Sequence, residues 1–187
     1  TIVVLAADHG DFVGDYGFLG KNLFFDAAMH VPMIVRRPGG PKGQRSRDLV
    51  TVTDLFASFL AVAGVENVTG EDSYPIPVLA PAGAPRRRHA LGAVGNGVCI
   101  QDDRWRLSRY GNGLATLYDL DLPAAVQVNL IEAPEARAVR AELDAALAAE
   151  LLKAAQAGFR DRRYQYVTMT AGHAAHSRGW ERPYPWN

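Results

Sequence analysis

One cysteine, Cys99, is all the chain has. A single thiol excludes an intrachain disulfide and any zinc cage built from cysteines. It leaves the compartment open, because oxidising compartments also hold proteins without disulfides. No apolar run approaches the ~20 residues that a membrane-spanning helix needs. Neither sign of charge is in excess: 20 basic residues balance 20 acidic ones over 187 positions. That balance supplies no electrostatic reason to expect nucleic acid or a membrane surface as partner. Hydrophobic residues make up 48% and charged residues 21%, a globular composition that excludes disordered and fibrous classes. Internal repeats and low-complexity segments are missing too. The first residues, TIVVLAA, carry no charged leader or initiator Met, so we expect the sequence to be a piece of a longer chain.

What is present reads as an α/β protein. Residues 1–7 form an unbroken apolar run, the pattern of a strand buried on both faces in a parallel sheet. The Gly- and Asp-rich stretch 8–23 is a loop at its end, where open α/β sheets build their sites. A helical turn is expected at Phe24–His30, followed by a second strand in VPMIVRR. Thr53 is placed to cap a helix over Asp54–Ala63 that stops at Gly64. Its apolar residues Leu55, Phe56, Phe59, Leu60 and Ala63 share one face. Residues 65–88 are rich in turn residues and read as a connector. HALGAVG, GVCIQD, RWRLSRY and TLYDL suggest a small antiparallel sheet. Pro134 to Gln156 is an amphipathic helix, with Val139, Leu143, Leu147 and Leu151 recurring every fourth residue and Gly158 past its end. The division expected is 1–88 for part of an α/β domain, 89–158 for a sheet-and-helix subdomain, and 159–187 for an extended tail.

Asp8, His9 and Gly10 stand at the strand end. A hard carboxylate oxygen beside an imidazole nitrogen is a donor set suited to Ca, Mn, Zn or Fe, depending on the remaining ligands. Gly10 permits the sharp turn that would bring both to one ion. Two ligands are too few for a tight site, and an isolated Asp-His pair is more often a loop cap. Lys21, in GFLGKN, can set a point charge against an anionic oxygen or a leaving group, although a lone lysine is usually just solvated.

The run as a whole changes these odds. DHGDFVGDYGFLGKNLFFDAAMHVPMIVRRPG resembles the segment of sulfatases and phosphonate monoester hydrolases, in the alkaline phosphatase superfamily. That segment has a D-H/N-G start, a G-D/E-H-G repeat, a G-K pair and then H/R-V-P-L-I-V-R-x-P-G. The thirteen-residue step from Asp8 to Lys21 is kept. VTVTDLFASFLAVAGVE and LYDLDLPAAVQVNL resemble later family segments, so the likeness reaches over most of residues 1–155. It implies the C-terminal part of an alkaline-phosphatase-like fold, with a mainly parallel sheet, a small antiparallel sheet and a C-terminal helix. It further implies one divalent cation, Ca ahead of Mn, beside a formylglycine nucleophile made in a C/S-x-P/A-x-R motif. Carried over, Asp8 and His9 are metal ligands and Lys21 contacts the sulfate or phosphate oxygens or the leaving group. The substrate would be a sulfate or phosphonate ester.

Departures accompany the likeness. Tyr16 stands where many relatives have His. Ala125 replaces a Glu, which should cost nothing catalytically. No C/S-x-P/A-x-R motif occurs, so the nucleophile is expected outside this chain and the isolated chain is expected to be inactive. The unpaired edge of strand 1–7 calls for an N-terminal part of the same enzyme or a self-association partner. Three functions stay open: sulfuric ester hydrolysis, phosphonate monoester or phosphodiester hydrolysis, and a non-catalytic assembly module. Bland readings suffice elsewhere: His30 packs a loop, His173 and His176 lie in a polar tail, and Arg86–Arg88 are solvated. Asn67-Val68-Thr69 is a chance glycosylation tripeptide, and Trp105, Trp180 and Trp186 serve packing.

Overall fold

A computed structural model of the chain describes residues 1–65, 72–123 and 128–170, with side chains described as far as residue 156. The chain forms two compact units, Thr1–Leu143 and Asp144–Asn187. In the first unit the order is β1 (Val3–Ala6), β2 (Phe12–Val13), a 3-10 turn, β3 (Leu19–Gly20), α1 (Asp26–Met29), β4 (Met33–Arg36) and α2 (Asp54–Ala63). There follow β5 (Ala90–Val94), β6 (Gly97–Gln101), β7 (Trp105–Tyr110), β8 (Ala115–Asp119), a second 3-10 turn and the start of α3 (Arg137–Thr170).

The expected antiparallel sheet is a four-stranded meander, β5-β6-β7-β8. Its register aligns Ile100 with Leu107 and Leu107 with Leu117, and all three are fully buried. On the opposite face of β7 the two-residue period places Arg106, Ser108 and Tyr110. There Gly92 and Gly97 leave room for neighbours: a Cβ on Gly92 would meet the Met29 side chain, and one on Gly97 the Phe24 ring, each at 3.0 Å. The segment Phe24–Met29 therefore lies on this face of the sheet.

Arg106 fastens that contact. It is 3% exposed, and burying a guanidinium is costly unless every donor finds a partner. Nε donates to Gln101 Oε1 at 2.8 Å, Nη1 to the Phe24 carbonyl at 2.9 Å and Nη2 to Asp26 Oδ1 at 2.7 Å. Beside it the Cys99 thiol is buried, and desolvation pushes its pKa up to about 11.

β1 pairs with β4 in antiparallel register, Leu5 opposite Ile34. Every strand pair among the described residues is antiparallel, so no parallel neighbour of residues 1–7 is seen there. β1 is also not buried on both faces. Val3, Leu5 and Ile34, which share a face, are 50%, 55% and 63% exposed.

α2 has the expected bounds, and Gly64 closes it in the left-handed conformation (φ 70°). Two expectations about it fail. Thr53 makes no side-chain cap, because its hydroxyl pairs with Thr51 Oγ1 while the Asp54 carboxylate receives the Thr51 N–H at 2.8 Å. The packed face is Asp54, Ala57 and Ser58, whereas Phe56 and Phe59 are half exposed. The polar partners decide this. Asp54 accepts from the Tyr74 N–H and from Nε and Nη2 of Arg87, and the Ser58 hydroxyl accepts from the Ile76 N–H. Together they draw the connector over the small-residue face. Arg87, read as part of a solvated run, has a side chain only 7% exposed.

α3 also differs from expectation. A 3-10 turn at Pro134–Ala136 leads into it, and it continues past Gly158 to Thr170. One glycine costs a helix about 1 kcal/mol relative to alanine, too little by itself to stop a helix of this length. Residues 159–170 are thus helical rather than extended. Leu143 and Leu147 are buried, whereas Leu151 is 44% exposed.

Replacing Arg106 with Met removes the guanidinium and strands the Phe24 carbonyl. Chemical denaturation should show a loss of about 2–4 kcal/mol. An Arg106→Met protein as stable as the parent would show that the guanidinium is not the fastening.

Candidate functional site

The site begins at the end of β1. Asp8 follows the strand, and the His9 backbone N–H turns back onto Asp8 Oδ1 at 3.0 Å. That bond, with the neighbouring His9 ring and with Lys21 adding to it, holds the Asp8 carboxyl below its ordinary value. The carboxylate therefore stays ionised at lower pH than a free one, and its favourable interactions fade only as pH falls through that lowered value.

The His9 ring is oriented by its own neighbour: Nδ1 lies 2.9 Å from the Gly10 carbonyl oxygen. A carbonyl oxygen only accepts, so Nδ1 carries the proton and Nε2 is left as a bare acceptor. Nε2 receives the Lys21 ammonium in a short hydrogen bond. It also lies 3.4 Å from Asp8 Oδ2. Two electron-rich atoms turned to one region repel unless positive charge stands beside them, and here the lysine supplies it. Asp8, His9 and Lys21 are thus brought together across the hairpin β2–β3, whose register pairs Phe12 with Gly20.

Gly10 serves the site in another way than expected. Its φ is not positive, so no left-handed turn requires glycine there. Close approach does. A Cβ at Gly10 would lie 2.0 Å from the Ala27 carbonyl oxygen, and the Gly10 N–H donates to the Ala28 carbonyl at 2.9 Å. The loop bearing Asp8 and His9 is therefore pressed onto α1, which Arg106 holds to the four-stranded sheet.

As cation donors, Asp8 Oδ2 and His9 Nε2 suit a divalent ion by type and by convergence. Among the described residues no group of three or more His, Cys, Asp and Glu side chains gathers, so these two could hold only part of a coordination shell. Of the other sequence candidates, His30 ends α1, its backbone N–H donating to the Asp26 carbonyl at 2.9 Å, but the residue is exposed rather than packed into the loop. Trp105 lies under the Arg104 guanidinium. Asn67, Ala125, His173, His176, Trp180 and Trp186 lie outside the described residues.

Sequence reading missed Arg106 and the aromatic cluster of Phe12, Tyr16, Phe25 and Tyr118. Phe12 and Tyr16 meet Phe25 with centroids 6.3 and 4.8 Å away, and Phe25 meets Tyr118 at 5.7 Å. The available signal for Arg106 was a charged residue at an inward position of RWRLSRY.

Residues 1–65 match the sulfatase family model. Among curated proteins, the chain is similar to arylsulfatase K of Homo sapiens, 23% identical over 137 residues covering 64% of the chain and 26% of that protein. Arylsulfatase K of Danio rerio is 26% identical over 125 residues, 61% of the chain and 24% of that protein. The chain spans about a quarter of the length of the curated relatives it matches.

Among solved structures, one in complex with its substrate D-glucosamine-2-N,6-O-disulfate superposes with TM-score 0.67 at 24% identity, over 86% of this chain and 35% of that one. A 2-O GAG sulfatase gives 0.69 at 23%, over 86% and 38%. Phosphonate monoester hydrolase of Agrobacterium radiobacter gives 0.62 at 24%, over 81% and 34%. These likenesses establish the fold as α/β of the alkaline phosphatase type.

The packing at Gly10 sets an expectation. Gly10→Ala must push the Asp8–His9 loop off α1, at a cost of about 1–3 kcal/mol, and the NMR signals of the His9 ring should move with it. A Gly10→Ala protein with parent stability and an unmoved His9 ring would show that the loop does not need this contact.

Proposed function

We propose that this chain, a sulfatase-family segment of the alkaline phosphatase superfamily, supplies part of the active site of a metal-dependent sulfuric ester hydrolase. The observation that carries the reading is the meeting of Asp8, His9 and Lys21 at one point. Asp8 and His9 hold a divalent cation. Calcium is the first choice for that ion by family resemblance. Manganese is the second choice.

When bound, the cation polarises the anionic ester. The Gly10 carbonyl keeps the proton on His9 Nδ1, so that Nε2 remains free to ligate. Asp8, its carboxyl held below the ordinary value by the His9 N–H, is ionised and available as a ligand at neutral pH. With a cation held by Asp8 and His9, the Lys21 ammonium would be placed to face the ester's oxyanion and offset its charge. The nucleophile, a formylglycine by family resemblance, comes from residues outside this sequence, as do the remaining ligands. The chain on its own is therefore inactive.

In the complete enzyme, residues 1–88 belong to the catalytic domain and 89–158 form the subdomain that supports it. The exposed faces bearing Val3, Leu5 and Ile34 on β1–β4, and Phe56 and Phe59 on α2, are covered there by the N-terminal part of the enzyme or by a second copy. Sulfate esters of sugars are the favoured substrates, because a neighbour of the same fold was solved with a glucosamine disulfate. Phosphonate monoester or phosphodiester hydrolysis is the second reading, favoured by the likeness to a phosphonate monoester hydrolase.

Elemental analysis and a substrate panel on the intact protein test the proposal. The protein should carry a divalent ion, and Asp8→Ala should lose it. Lys21→Ala should keep the ion yet lower kcat/KM on sulfate esters about 10²–10³-fold. Faster turnover of phosphonates or phosphodiesters would select the second reading. A metal-free protein that turns over none of these esters would leave only the assembly role.

A further inference from the structure

The hairpin that carries Lys21 to His9 has little of its own to hold it. β2 and β3 are two residues each, and their ladder has two residue pairs. A hairpin that short is not stable by itself. One of its faces gives no help: Val13 and Leu19, opposite each other in the register, are 84% and 85% exposed. Alternation turns their neighbours Phe12 and Phe18 to the other face, where the two rings meet edge to face with centroids 6.0 Å apart. Phe12 is buried and also meets Phe25. The hairpin therefore keeps its place through its aromatic face.

At the tip, Tyr16 adopts φ 54° and ψ 19°; among the described residues it alone, glycines aside, has a positive φ. Side chains avoid that conformation and glycine takes it freely, as the nearby Gly14 and Gly17 do (φ 117° and 75°). A tyrosine held there points to a contact made by its ring. That contact is Phe25, on which the Tyr16 ring stacks with centroids 4.8 Å apart and 27° between the planes. Phe25 is itself fixed from two sides. Its ring meets Tyr118 of β8, and the residues flanking it supply the Phe24 carbonyl and the Asp26 carboxylate that Arg106 binds.

Lys21 lies between Tyr16 and Phe25 in the sequence, so their stack closes the segment that bears the lysine into a loop. From that loop the ammonium reaches His9 Nε2. Lys21 is exposed, and its flexible four-carbon stem can follow many directions. Where it points depends on how firmly its backbone is held. We propose that the Tyr16–Phe25 stack is the clasp that keeps Lys21 directed at the Asp8–His9 point. Tyr16 is then a positioning residue, acting through Lys21. The inference rests on the ester-hydrolase reading of Asp8, His9 and Lys21, and names what holds the lysine in place.

The test is a double-mutant cycle on the intact enzyme. Tyr16→Gly removes the ring and accepts the backbone without strain, whereas Tyr16→Phe keeps the stack. With nitrophenyl sulfate, Tyr16→Gly should lower kcat/KM about threefold to tenfold while the bound metal is retained. Tyr16→Phe should restore the parent value. In a Lys21→Ala background, Tyr16→Gly should change kcat/KM by less than about twofold, because the group it positions is gone. An equal loss in both backgrounds, a loss that comes with loss of the metal, or no loss in either would overturn the proposal.

The clasp is also read without turnover. In the same proteins, amide hydrogen exchange over residues 12–21 should quicken in Tyr16→Gly, with β5–β8 unchanged. The NMR signal of the Lys21 ε-methylene, assigned by its loss in Lys21→Ala, should move in Tyr16→Gly and return in Tyr16→Phe. If the intact enzyme hydrolyses no ester, the site reading fails by itself. A Lys21 signal that moves and returns in this way would then still uphold the clasp, and a signal indifferent to Tyr16→Gly would overturn it.

Discussion

The buried guanidinium of Arg106 is the constraint on which the arrangement rests. Two of its three bonds join β7 to the Phe24 carbonyl and to Asp26, and so fix where α1 lies. α1 in turn offers the Ala27–Ala28 backbone against which Gly10 is pressed. The loop bearing Asp8 and His9 takes its position from that contact, and Lys21 reaches the same point from the far strand of the hairpin. A charge buried in one small sheet thus reaches the chemistry through two backbone contacts. No side chain between them needs to be large.

The economy of the site is that each group constrains the next. The Gly10 carbonyl fixes the His9 tautomer, the bare Nε2 attracts the lysine, and the His9 N–H holds Asp8 ionised. Two acceptors and one ammonium form a balanced set that survives without further ligands. In the complete enzyme a divalent ion would compete with the lysine for the same two atoms, and the displaced lysine would be free for the substrate's oxyanion.

Much of this was legible in the residues, and the failures share a cause. The bounds of α2 were marked by Thr53 and Gly64, although Thr53 makes no side-chain cap, and the four strands by turn dipeptides between apolar runs. The step from Asp8 to Lys21 pointed to one site through the family resemblance, whereas the β2–β3 hairpin that joins them lay in a stretch that read as a loop. What could not be read was which face of an element would find a partner. The aromatic stripe of α2 looked like core, yet the bidentate Asp54–Arg87 pair brought the opposite face inward. Arg87 looked solvated for the same reason, since its partner lies 33 positions away. Gly10 was recognised, but as a turn and not as a place where two backbones touch. Local composition marks elements; long-range polar pairing chooses their orientation.

The account turns on whether Asp8 and His9 bind an ion that frees Lys21. Anomalous diffraction from crystals of the intact enzyme soaked in manganese tests this most directly. The account predicts a peak within bonding distance of Asp8 Oδ2 and His9 Nε2, with the Lys21 ammonium moved away from the ring. A manganese peak elsewhere, with Lys21 still bonded to His9, would contradict it.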